Sequence, residues 1–85
     1  MAIDIVINPQ KSTMPGLKAV GGDIAGISRV IFTALKGVFG KLITDSYIIV
    51  VQVGDDTYRL KIAESSFLHR HELCHSLQEL GVLVV

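Results

Sequence analysis

Residues 71 to 75 read His-Glu-Leu-Cys-His, and His71, Glu72 and His75 fit the spacing H-E-x-x-H. On a helix that spacing sets two imidazoles one turn apart on one side, where they can share a zinc ion. The glutamate beside them is then placed to take a proton from metal-bound water. A zinc-dependent, metallopeptidase-like hydrolase using His71 and His75 as ligands and Glu72 as general base is the chemistry this pentapeptide would support. Such a site needs a third protein ligand. In the longer form of the motif a glycine and a histidine would stand at positions 78 and 81, where this chain has Gln78 and Gly81. Only ten residues follow His75, and the one acid among them is Glu79, a turn further along the same helix. His69 falls on a different side.

The competing reading is structural. A helix over 67–80 would bury the stripe Phe67, Leu73, Cys74, Leu77 and Leu80 and leave His71, Glu72, His75 and Glu79 in solvent. That is the expectation here: no catalytic residue and no cofactor, with zinc at His71 and His75 belonging to the hydrolase alternative alone. Cys74 falls on the apolar side, as an inert thiol would, whereas reactive cysteines need accessible, electropositive surroundings. The glycines of KAVGGDIAG (18–26) lack the spacing and the lysine of a phosphate-binding loop and suit close helix packing instead.

The elements that must position these residues follow from periodicity. Ile3, Ile5 and Ile7 alternate with Asp4 and Val6, as on a strand with one apolar face. Asn8-Pro9 and KSTMPG (11–16) read as loop. From Leu17 through Val20, Ile24, Ile27, Ile31, Leu35, Val38 and Leu42 the apolar residues recur at helical steps. Asp23 stands where a cap would begin a firm helix at Ile24, and Gly37 and Gly40 mark its end. SYIIVVQVGDDTYRLKIA (46–63) predicts a hairpin. With its turn on Asp55-Asp56, Val53 would oppose Tyr58, Val51 would oppose Leu60, and Ile49 would oppose Ile62. Tyr47, Ile49, Val51 and Val53 would then face the helices. Ser65 or Ser66 would cap the second helix, Gly81 would stop it, and VLVV (82–85) would form a last strand. The order β-α-β-β-α-β is that of the ferredoxin-like split sandwich, α+β, an antiparallel sheet with two helices on one face.

Eighty-five residues fit one domain, 1–85. Hydrophobic residues make up 49% of the chain and charged residues 19%, and mean hydropathy is +0.51. That balance excludes disorder and exceeds what a small monomer needs to bury. Formal net charge is zero, with residues 1–45 at +2 and 46–85 at −2, so no strong basic footprint for nucleic acid is present. The lone Cys74 admits no intrachain disulfide. Asp4 stands where a signal peptide would carry basic residues, and Arg29 and Lys36 break the best apolar run, so a soluble, cytoplasmic protein is expected.

These features lead to a non-catalytic association module: a homo-oligomer, or an assembly or inhibitory partner of a larger protein. The first helix carries apolar residues over some 200° of its circumference, about twice what one sheet covers. The last strand is apolar at every position and lacks the charge or proline that guards sheet edges. The expected interface is therefore Val30, Phe32 and Phe39 on the helix, or Val82 and Val84 on the strand. Nucleic-acid binding is a second alternative, weakened because Tyr58 is expected to face the helices, away from bases. The cations Lys18, Arg29 and Lys36 opposite the apolar arc would suit a membrane surface, but burial in an oligomer explains the same arc.

Overall fold

In a computed structural model the chain is described over residues 2–43, 48–63 and 68–85. The elements are β1 (Ala2–Asn8), α1 (Ile24–Phe39), β2 (Ile48–Gln52), β3 (Tyr58–Ala63), α2 (Arg70–Glu79) and β4 (Leu83–Val84). Three antiparallel pairings order the sheet β2-β3-β1-β4. This is the expected ferredoxin-like α+β sandwich, with the helices over one face of the sheet.

The core forms where strand and helix periods meet. Ile3, Ile5 and Ile7 of β1 and Tyr58, Leu60 and Ile62 of β3 point to one side and are buried. Against them pack Ile27, Ile31 and Leu35 of α1 and Leu73 and Leu77 of α2, in one cluster. A 3-10 turn, Lys18–Val20, precedes α1. A Cβ on Gly26 would lie 2.9 Å from Val20, so the small residue lets that turn sit against the helix. Asp23 occupies the cap position, where its carbonyl accepts from the Ile27 N–H (2.9 Å), but its side chain makes no capping bond. Gly40, at φ +61°, ends the helix as expected and donates its N–H to the Lys36 carbonyl.

The hairpin differs from expectation by one residue. Gln52 opposes Tyr58, Val50 opposes Leu60 and Ile48 opposes Ile62. Ile48 and Val50 are therefore the core residues of β2, and Ile49, Val51 and Val53 face away from the helices. The turn sets this parity. The N–H groups of Val53 and Gly54 both donate to the Thr57 carbonyl (3.0 and 3.2 Å), leaving Gly54, Asp55 and Asp56 between Val53 and Thr57. The expected turn, Asp55-Asp56 between Gly54 and Thr57, is one residue shorter, and each one-residue step turns every side chain over. Tyr47, assigned to the same face, lies outside the described residues.

The second helix starts at Arg70, three residues later than expected, behind an extended His69. Ser65, Ser66 and Phe67, expected to cap and open it, lie outside the described residues. Leu73 and Leu77 are buried as the stripe requires, while Cys74 and Leu80 are half-buried. Gly81 closes the helix at φ +96°, where a side chain would also press on Thr13 and Met14. Its carbonyl accepts from the Thr13 and Met14 N–H groups (2.8 and 3.1 Å), tying the 11–16 loop to the helix end. The buried Ser12 hydroxyl donates to the Asn8 carbonyl (2.7 Å) and accepts from the Leu83 N–H (2.9 Å). That bridge joins the end of β1 to the start of β4.

Candidate functional site

All five residues of the HELCH motif lie on α2, so the helical spacing assumed for it holds. Leu73 points into the core, Cys74 is half-buried against it, and His71, Glu72 and His75 are exposed. His75 Nε2 lies 2.8 Å from Glu79 Oε1, an i,i+4 pair with both side chains about two-thirds in solvent. The imidazole is thus turned along the helix toward a carboxylate. Among the described residues no three His, Cys, Asp or Glu side chains are grouped so as to hold one metal ion. Two histidines on an open helix face, with Glu79 beside one of them, can take a metal from solution but build no enclosed site for a substrate.

A shallow groove of about 300 Å³ runs between Met14-Pro15 and α1, lined by Arg29, Val30, Thr33 and Ala34. It is mainly apolar, with one cation and one hydroxyl. No helix among the described residues is long and apolar enough to cross a membrane.

The residues expected at an interface are placed differently from one another. Val30, Phe32 and Phe39 are half-buried and pack against the core, so the broad apolar arc of α1 is largely used within the chain. Lys36 Nζ lies 5.8 Å from the Phe32 ring centroid, covering its outer side. On α1 only Ile24 and Val38 are exposed large hydrophobics. Val82, expected to be accessible, is only 3% exposed and belongs to the core. Val84 pairs with Ile7 and leans on the same inner side, half-buried.

The exposed apolar surface lies instead on the open face of the sheet. Its rows follow from the registers. Ile49, Lys61 and Asp4 form one row across β2, β3 and β1, and Val51, Arg59 and Val6 form the next. The Val85 N–H donates to the Val6 carbonyl (2.8 Å), extending that second row across the sheet. A third row holds Val53, Thr57, Asn8 and Leu83. Ile49 (57%), Val51 (41%), Val53 (44%), Leu83 (44%) and Val85 (70%) are five of the seven exposed large hydrophobics among the described residues. Arg59 and Lys61 are half-buried in their midst, and long basic side chains of this kind can cover apolar surface with their stems while the charge reaches water. No aromatic residue stands on this face among the described residues.

Periodicity missed this face because YIIVVQV (47–53) is apolar on both alternations and carries no parity of its own. The signal that would have found it is the three-residue loop Gly54-Asp55-Asp56. Comparison with protein-family models, curated proteins and solved structures gave no match.

Proposed function

We propose that the chain is a non-catalytic module that works by association, through the open face of its sheet, with a second copy or with a larger protein. The observation that carries this reading is the set of five exposed branched aliphatic side chains on one sheet face, along its two edge strands, in a chain whose core is already filled. Exposed aliphatic surface gathered on one face is what binding faces present; here it flanks a central strip of Arg59, Lys61, Asp4 and Val6. A net charge of zero adds no general repulsion between copies. The lone Cys74 favours the cytoplasm as its setting.

The two other readings have less behind them. Hydrolysis at Glu72 would need a third metal ligand and a cleft, and the described residues offer neither. Reading of single-stranded nucleic acid would need bases stacked on aromatics of the central strands, and Tyr58 is turned into the core. Two exposed positions separate the sheet from the helix as the binding face. Val51→Lys should lower the solution mass of the associated protein, whereas Val38→Lys, on the outer side of α1, should leave it unchanged. Loss of association from Val38→Lys alone would contradict the assignment to the sheet.

A further inference from the structure

From the arrangement of charge on the open face, and resting on the association reading above, we infer that the partner is a second copy of this chain. The two sheets stack face to face about a two-fold axis parallel to the strands. Such an axis, through the middle of the sheet, exchanges β2 with β4 and β3 with β1 while keeping each row in place. The partner's Lys61 then lies over Asp4, and Asp4 of the partner over Lys61. Val51 meets the partner's Val85, and Val53 meets the partner's Leu83. Every exposed aliphatic residue of β2 and its turn except Ile49, at the rim, gains an aliphatic neighbour.

The other simple two-fold, perpendicular to the strands, keeps each strand over itself. It sets cations of β3 against cations of the partner's β3, Arg59 on Arg59 or on Lys61, which is repulsive in a drying interface. The parallel axis lays Arg59 over the partner's Val6, and it alone sets Lys61 over the partner's Asp4, twice; those two pairs favour the parallel axis. Aligned sheet packing, with strands about 30° apart and sheets about 10 Å apart, is the ordinary way two such faces meet. Within one chain Asp4 and Lys61 are cross-strand neighbours, yet among the described residues their side chains close no ion pair with each other; Arg70 Nε reaches the Asp4 backbone carbonyl (3.1 Å). Strands of seven, five, six and two residues, about 4.8 Å apart with about 3.4 Å per residue, give a plane on the order of 300 Å² per copy. That lies below the range of stable specific interfaces, so the dimer is weak and transient, dissociating in the micromolar range.

Two charge reversals test this, singly and mixed. Lys61→Glu and Asp4→Lys should each raise the dimer dissociation constant at least tenfold, because each places like charges across the axis twice. An equimolar mixture of the two variants should recover the dimer, since each chain then meets the charge it needs in the other. The mixture cannot act through folding, because the like-charge pair inside each variant chain is unchanged by mixing. If the wild type dimerises but the single variants do so equally well, or their mixture stays monomeric, the face-to-face arrangement is wrong and association stands on another surface. If the wild type is itself monomeric at high micromolar concentration, the association reading fails with it.

Discussion

Ser12 contributes more to this fold than a loop serine ordinarily does. Its hydroxyl is buried and both donates to Asn8 and accepts from Leu83. Removing it leaves a backbone carbonyl and a backbone N–H without that partner at once. Ser12→Ala should therefore cost about 1–3 kcal/mol, seen as a fall in melting temperature of about 5 °C or more. An unchanged melting curve would mean that water replaces the hydroxyl. Sequence alone places Ser12 only in a loop, because its partners lie 4 and 71 residues away along the chain. The HELCH histidines are the opposite case. Their helical placement and exposure follow from the spacing of Leu73 and Leu77, and their outlook follows from what stands nearby. Protein dialysed after exposure to zinc should retain no stoichiometric metal, and chelation should leave its melting temperature unchanged. One zinc per chain surviving dialysis, and lost in His71→Ala, would revive the hydrolase.

Among the elements, those with a clean alternation were legible and the one without it was not. β1 and β3 each carry three large residues on one side and polar or small ones on the other, so their inner faces could be read directly. α1 was bounded by Asp23 and Gly40 because a cap position and a positive-φ glycine leave marks in sequence. β2 is aliphatic on both sides, so its parity was decided by the hydrogen bonds of a three-residue turn. α2 starts late for a related reason: its stripe fixes the phase of the helix and not its first residue. The hairpin register has a sharp consequence. Val50 is 8% exposed and faces the core, so Val50→Asp should cost about 3 kcal/mol or more, or prevent folding. Val51→Asp should change the stability of the dilute monomer by about 0.5 kcal/mol at most. Chemical denaturation of both variants checks this, and a reversed order of cost would restore the Asp55-Asp56 turn and the other pairing.

For the molecule as a whole, composition told that apolar surface is in excess but not where it lies. The width of the apolar arc of α1 and the unguarded VLVV strand point to the helix or the terminal strand as its place. The fold instead uses that arc, packing Val30, Phe32 and Phe39 against the core, and the one-residue turn of β2 carries the excess to the far side of the sheet. The surface that results is apolar in composition and mixed in charge, with Lys61 and Asp4 on one row and Arg59 on the next. A face of this kind has more to gain from a copy of itself than from water, since burying apolar area is favourable by roughly 25 cal/mol per Å². Part of that gain is offset by the cost of bringing two molecules together. The most direct test is the solution mass of the wild-type chain across a dilution series, by light scattering or sedimentation equilibrium. We expect it to rise through the micromolar range from the 9.2 kDa of one chain to twice that value. A mass that stays at one chain up to high micromolar concentration would contradict association between copies.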